Sequence, residues 1–398
     1  MSTGRGVTIR AAVSRGVGLP PSIETLTLDA PGPDEVRIRV EACAVCHSDL
    51  SYLDGTWATE FPLVLGHEAA GYVVELGNPV ADSEGASEPG LAVGDPVVVT
   101  LVRTCGECRA CQRGHDVACT GDFPIASKSP LVAADGDRIP QGLNVGAFAE
   151  QVVVHRSQVV RLPDDIDPLV ACLLGCGVLT GAGAVTNTAR VAAGDSVVVV
   201  GCGGVGIGAV QAARIAGADP IVAVDPTSDK RESARGFGAT HVVDPVHDDL
   251  FATITAATGG PLADHLLITT GSPAALDGAI ELLAPMGQLI IVGMAADDVT
   301  IEVAPSWLAA ANKSILGSKM GTARVAVDVP ALVDHHRAGR LDLAGMVSST
   351  HTLDDIQDAF DEVWRGDVVR TVVLPNGTVT GNPTTAATST AAGGPAAC

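Results

Sequence analysis

Hydrophobic and polar positions change rhythm once along the chain. Residues 34–40 (DEVRIRV) set Val36, Ile38 and Val40 against charged neighbours, the two-residue period of a half-buried strand. Short strands are expected again at 72–75, 96–102 and 150–161, separated by Gly, Pro and Asp turns, which predicts a barrel-like all-β module. From about residue 195 strands alternate with helices. DSVVVVG (195–201) reads as a buried strand, 204–217 as a helix, PIVAVD (220–225) as a strand and 227–236 as a polar helix. HVVD (241–244), a helix over 248–258, HLLITTG (265–271), a helix over 273–283 and GQLIIVG (287–293) continue the series. That order predicts parallel βαβ units in a sheet covered on both faces. Helix 324–338 and strand 368–374 are expected to return to the first module, and the Thr-, Ala- and Gly-rich residues 377–398 to form a disordered tail.

At 398 residues and 46% hydrophobic, the chain can build two or three packed domains. Its 24 basic and 46 acidic residues give a net charge of −22, which excludes the basic footprint of a nucleic-acid binder and disfavours anionic membranes. The N-terminus lacks the apolar run of a secretory signal, so a soluble cytoplasmic protein is expected. Pro168–Ala189 and Ser196–Ala213 carry no charge, yet their Gly and polar content suits buried strands and helix starts better than membrane spans. Ten cysteines are too few for a disulfide scaffold, and their clustering points to metal.

Cys105, Cys108, Cys111 and Cys119 fall within fifteen residues. Four thiolates so spaced can close a tetrahedron around Zn²⁺ with no open position, a structural site. An Fe–S or redox-switch cluster is the alternative; the polar sequence between the cysteines and the lack of a Cys-Pro ending favour zinc. A second set is dispersed: Cys46 in CAVCHSD, His67 and Glu68 in LGHEAAG, and Cys176 in LLGCGVLTG. Two thiolates and an imidazole make a three-ligand site with one free position, as a catalytic zinc needs, with Asp49 and Glu68 placed to brace the ligands. Spacing alone does not choose Cys46 over Cys43, or Cys176 over Cys172.

Gly201, Gly203 and Gly206, in GCGGVG, follow a strand and open a helix. In that context a glycine turn brings backbone, including Gly204, up to a pyrophosphate at the helix N-terminus. Asp225 ends the next strand, where a carboxylate takes ribose hydroxyls and repels a 2′-phosphate, so NAD is expected over NADP.

CHSD at 46–49, GHE at 66–68, the four-cysteine lobe, GCGVLTG at 175–181, GCGGVG at 201–206 and Asp225 stand in one order and spacing. On these motifs residues 8–376 resemble the zinc-dependent alcohol dehydrogenases of the medium-chain dehydrogenase/reductase superfamily. The resemblance selects Cys46, His67 and Cys176 as catalytic zinc ligands. It implies an α/β fold: a GroES-like β-rich catalytic domain (1–177, resumed at 318–376) interrupted by a Rossmann NAD-binding domain (178–317). It implies that Ser48 hydrogen-bonds the alcohol and that His47 and Arg370 lie beside the pyrophosphate. Thr180, Val205, Val292 and Met294 would flank the nicotinamide, Lys230 a ribose, and Trp57, Leu101 and Phe148 the substrate. Two zinc ions per chain, NAD, a homodimer or homotetramer and a small alcohol or aldehyde follow from it. CHSDLSYLDG, TGAGAV and GSKMG are similar to bacterial aryl- and primary-alcohol dehydrogenases.

Many members carry a His five residues after the first ligand, at the outer end of a proton relay; this chain has Ser51. Two other readings share the motifs. AVDPTSDKRESARGFGATH resembles actinobacterial nicotinoproteins, which keep their nucleotide and use an external acceptor. A thiol-adduct formaldehyde dehydrogenase is the other.

Overall fold

Three sheets organise the chain, and the computed structural model describes residues 6–77 and 90–378. Most of the expected tail, from residue 379 on, lies outside the described residues. The first sheet is antiparallel and runs in the order Leu63–Val64, Val7–Ser14, Ser22–Leu28, Leu131–Val132, Arg138–Ile139.

The second is built on Glu35–Ala44, where Val36, Ile38 and Val40 alternate inward as their pattern demands. The strand then runs on to Ala44 with every residue from Val40 buried, because it is covered on both faces. Glu68–Leu76 pairs along one edge. Gln151–His155 takes the first half of the other edge, and Arg370–Leu374 closes its end with Val372 opposite Ala44 and Val373 opposite Cys43. The C-terminal strand thus docks beside the residues that lead into Cys46. Behind it lies helix Ile356–Arg365, whose Ile356, Ala359, Phe360 and Val363 recur at helical spacing and are its buried face.

The third sheet is parallel, in the order His241–Val243, Ile221–Val224, Val197–Val200, Ala263–Ile268, Leu283–Ile291, Ser314–Gly317. Chain order reverses between Val197–Val200 and Ala263–Ile268, and ligands of such sheets bind at that point, beyond the carboxyl ends of the strands. Helix Gly204–Ala216 covers the crossing and stops at Gly217, left-handed at φ 84°. Buried Gln211 on this helix bonds both backbone groups of Asp342, Asp342 N to Oε1 at 2.7 Å and Nε2 to Asp342 O at 3.1 Å. That pairing ties the parallel layer to the returning chain.

Local expectation failed in places. The helix expected over 273–283 is two short 3₁₀ turns, Pro273–Ala275 and Ala279–Leu282. Gly278 between them adopts a left-handed φ of 66°, which ends any continuous helix, and Leu283 already starts the next strand. The strand expected over 150–161 is broken by a turn at Arg156–Gln158, capped by the His155 ring accepting from Ser157 N. Pairing of the strand expected over 96–102 ends at Val99. Among the described residues no single helix is long and apolar enough to cross a membrane. The uncharged Pro168–Ala189 stretch forms two helices, Pro168–Gly175 and Gly177–Ala189, bent by 51°.

Candidate active site

Cys46 is the N-cap of helix His47–Leu53, and Asp49 accepts from its backbone N–H at 3.2 Å. The same Asp49 carboxylate accepts from Gly66 N at 3.0 Å and meets His67 Nδ1 at 3.1 Å. One buried carboxylate therefore fixes both the turn that carries Cys46 and the imidazole across from it. Cys176 caps helix Gly177–Gly183 from the opposite wall. Ligand atoms of Cys46, His67, Glu68 and Cys176 all lie within 4.8 Å of one another. Cys43 and Cys172 are buried close by and outside this group, and burial pushes both thiols up.

The donor set fits a soft dication. With Nδ1 held by Asp49, His67 Nε2 faces the sulfurs, buried and without a hydrogen-bond partner. Burial opposes charge on His67, but Asp49 and Cys46 hold its pKa well above the ordinary value. Contact with Cys176 holds Cys46 well below the ordinary thiol range, with His67 adding to the effect. The same contact holds Cys176 well above it. Two sulfurs and an unpartnered imidazole nitrogen brought within 4.8 Å of one another are the donor set of a Zn²⁺ bound by two thiolates and a histidine. Burial raises the carboxyl of Glu68 to about 8 against the pull of Arg370, whose Nη2 lies 3.2 Å from Oε1. Glu68 thus stands inside the cluster as well as behind it.

The second group, Cys105, Cys108, Cys111 and Cys119, also has its sulfurs within 4.8 Å of one another, in a partly exposed lobe. Backbone amides converge on it: Cys105 N and Gly121 N each donate to Cys119 Sγ, and Cys108 N donates to Cys105 Sγ, all at 3.3 Å. Amides of Cys111 and Thr120 bring the Cys108 thiol down to about 5. Backbone donors of the loop are thus turned toward its sulfurs.

Gly201, Asp225, Thr269 and Val292 follow four neighbouring parallel strands and share the carboxyl-end edge of the sheet. Gly201 has φ 96°, and a Cβ on Gly206 would run into the Gly201 carbonyl, so the turn closes only with glycine at both positions. Asp225 is 6% exposed; its Oδ2 accepts from Cys202 N at 2.8 Å and its Oδ1 from Thr227 N at 2.9 Å. Arg370 fills the space under the loop so tightly that a Cβ on Gly204 or Gly177 would meet its guanidinium. His47, pushed down first by desolvation, also feels Lys230 and Arg370. Arg370 thus sets a basic group against the glycine turn.

Two family models match, an alcohol dehydrogenase GroES-like domain over residues 32–164 and a zinc-binding dehydrogenase domain over 204–335. Alcohol dehydrogenase B of Mycobacterium tuberculosis is 36% identical over 369 residues, 89% of this chain and 95% of that one. The chain belongs to the zinc-dependent alcohol dehydrogenases of the medium-chain dehydrogenase/reductase superfamily. An NDMA-dependent alcohol dehydrogenase of Amycolatopsis methanolica is 32% identical, with 92% and 98% of the two chains covered. The crystal structure of benzyl alcohol dehydrogenase from Acinetobacter calcoaceticus superposes with a TM-score of 0.84 at 29% identity, covering 92% of this chain and 99% of that one.

For an alcohol dehydrogenase the expected substrate walls divide. Phe148 is not a pocket residue: it is 1% exposed, edge-on to Phe360 at 5.5 Å, in the core with Leu50, Leu53 and Leu65. An aromatic so placed packs the β module, and its sequence neighbourhood carried no sign of this. Trp57 is half-buried just past the C-terminal end of helix His47–Leu53, edge-on to Tyr52. Leu101 lines a cavity of about 260 Å³ with Asn144 and Lys319. Ser48 is partly exposed, and its hydroxyl has no protein partner among the described residues. Ser51 donates to His47 O at 3.0 Å. Thr180 is 7% exposed beside Cys176, Val292 and Val205 are half-buried, and Met294 is 65% exposed. Sequence reading gave no role to Met320, whose Sδ is 3.6 Å from Cys176 Sγ and 3.5 Å from Thr180 Oγ1.

Proposed function

We propose that this alcohol dehydrogenase carries out reversible hydride transfer between NAD(H) and a primary alcohol or aldehyde, aromatic or of medium length. The observation that carries the reading is the Cys46, His67, Cys176 cluster, with the unpartnered Ser48 hydroxyl two residues past Cys46 in the first turn of helix His47–Leu53. A Zn²⁺ held by that cluster supplies Lewis acidity to an alcohol oxygen and lowers its pKa. NAD held at the glycine turn would supply the hydride acceptor.

The chain's residues do the rest. Asp49 keeps His67 in one orientation. Ser48 takes the hydroxyl proton and must hand it on, since a hydroxyl cannot hold it. Ser51 already donates to the helix backbone and does not titrate near neutral pH, so it is no exit for the proton, and a ribose hydroxyl of the nucleotide would have to take that place. Asp225 and Lys230 hold the ribose, and His47 and Arg370 offset pyrophosphate charge. Trp57 and Leu101 are the side chains assigned to the substrate wall, a pair suited to a flat alcohol. The benzyl alcohol dehydrogenase neighbour supports that choice. The exposed Trp307, Met286 and Met294 beside the outer strand Ser314–Gly317 support a homodimer or homotetramer.

A panel of alcohols and aldehydes with both nicotinamide cofactors tests the reading. Benzyl-type and longer aliphatic alcohols should exceed ethanol in kcat/KM; the reverse ranking overturns the substrate class. Ser48→Ala should lower kcat by at least about tenfold, the lower range for a positioned proton-transfer group. Ser51→Ala should change little, whereas Ser51→His should reshape the pH–rate profile between about pH 6 and 8. A large kcat loss in Ser51→Ala with nucleotide binding intact would make Ser51 a relay member.

The NDMA-dependent relative supports a second reading, in which the nucleotide stays bound and an external acceptor recycles it. Purification with stoichiometric nucleotide would select that reading.

A further inference from the structure

We propose that Met320 is a positioning residue for the metal-holding set, its thioether shielding Cys176 from hydrogen-bond donors so that the thiolate gives its full charge to the cation. The inference rests on the reading of Cys46, His67 and Cys176 as that set.

The backbone of Met320 is left-handed, at φ 48° and ψ 34°, and Gly321 and Thr322 follow at φ 66° and 51°. Methionine and threonine seldom adopt this region, so the surroundings must impose it. Thr188 Oγ1 bonds Ser318 Oγ at 2.7 Å and Thr322 Oγ1 at 2.8 Å, gripping both ends of the turn. Asn187 donates to Asp328 Oδ2 at 2.9 Å, and that oxygen also accepts from Arg324 N at 2.8 Å. Both Thr188 and Asn187 sit in a π-helical turn, Ala184–Ala189, a rare geometry that recurs at functional sites. From behind, Gly321 lies against the carbonyls of Leu179 and Thr180, where a Cβ would come within 2.7 Å of each oxygen. The turn is held from both sides and delivers one buried side chain, 7% exposed, onto Cys176.

Filling space there needs only an apolar residue. What sulfur adds is a polarizable weak acceptor that carries no donor. The Thr180 hydroxyl reaches both sulfurs, 3.9 Å from Cys176 Sγ and 3.5 Å from Met320 Sδ. Met320 therefore shares that donor with Cys176 and fills the space beside its sulfur without bringing a donor of its own. A thiolate that accepts fewer hydrogen bonds is the stronger metal donor, and groups that touch ligands tune the metal in this way.

The test uses the full chain loaded with Co²⁺, whose thiolate charge-transfer band reports electron donation from sulfur. Subtracting the spectrum of the matching Cys46→Ser protein removes the band of the four-cysteine lobe. Met320→Gln sets an amide donor beside Cys176. Its band should move to higher energy, and release of metal to a chelator should quicken by about tenfold, the low end for lost support of a ligand. Met320→Leu, of similar volume and without a donor, should keep the parent band. Should the glutamine protein not fold, Met320→Asn carries the same amide and tolerates the left-handed region best. Equal shifts in the leucine and amide variants, or no shift in either, overturn the role of Met320. A parent chain with no Cys46-dependent band overturns the metal reading and this inference together, whereas a band indifferent to the amide overturns this inference alone.

Discussion

Cys46→Ser is expected to remove turnover while the chain stays folded and holds one metal ion fewer. Serine is a preferred N-cap, so helix His47–Leu53 keeps its start and Asp49 still accepts the backbone N–H of residue 46. What is lost is one of two sulfurs that face His67 Nε2. A hydroxyl binds Zn²⁺ poorly beside a thiolate and an imidazole, and the remaining pair leaves the site underligated. The loss in kcat/KM should be at least about 10²–10³-fold, the scale for removing a group that stabilises charge at the reacting oxygen. Cys108→Ser gives the contrasting result. It also costs one metal ion, but it opens a lobe that Cys105, Cys111 and Cys119 otherwise close, so solubility or thermal stability should fall. Elemental analysis of the parent should give about two zinc ions per chain, one for each donor set. Full turnover in Cys46→Ser would show the ligand assignment to be wrong.

These two variants rest on features that were legible in the sequence to different degrees. The four-cysteine lobe is local: its ligands lie within one loop, so spacing alone reports the geometry. The Val197–Val200 strand, its glycine turn and Asp225 are nearly as local, because one βαβ unit contains them. The dispersed set is not. Cys46, His67 and Cys176 come from three separate segments, and periodicity could not prefer Cys46 to Cys43. The distinction is that Cys43 sits inside the strand Glu35–Ala44, paired against Ala69 and Val373, whereas Cys46 lies past its end at a helix cap. Phe148 misled for a related reason. Aromatic scarcity made it look like a site residue, but core membership is decided by the packing of Phe360, which arrives from more than two hundred residues away. Met320 was illegible because its meaning lies in a left-handed backbone and a π-helical turn, and neither leaves a pattern in residue type.

NAD should exceed NADP in kcat/KM by at least about 100-fold, roughly 2.7 kcal/mol of discrimination. Asp225 ends the strand beside the glycine turn, as the ribose-binding carboxylate of a dinucleotide fold does. Its two oxygens accept from Cys202 N and Thr227 N, so the carboxylate cannot swing aside to admit a phosphate. Each oxygen keeps a further lone pair for a ribose hydroxyl. A 2′-phosphate would bring like charge against a group that is 6% exposed, where solvent screens poorly. Arg231, in the following helix, bonds the Asp225 carbonyl at 2.7 Å and pairs with Asp244 at 3.0 Å, and so offers the phosphate little. Asp225→Ser should therefore lower kcat/KM for NAD and bring the two cofactors to within about tenfold of each other. It also strips an acceptor from two backbone amides, a cost of about 1–3 kcal/mol where they stay dry, so thermal unfolding must be followed in parallel. A preference that narrows while KM for the alcohol is unchanged assigns the discrimination to this carboxylate. Equal use of NAD and NADP by the unaltered protein would remove Asp225 from the role.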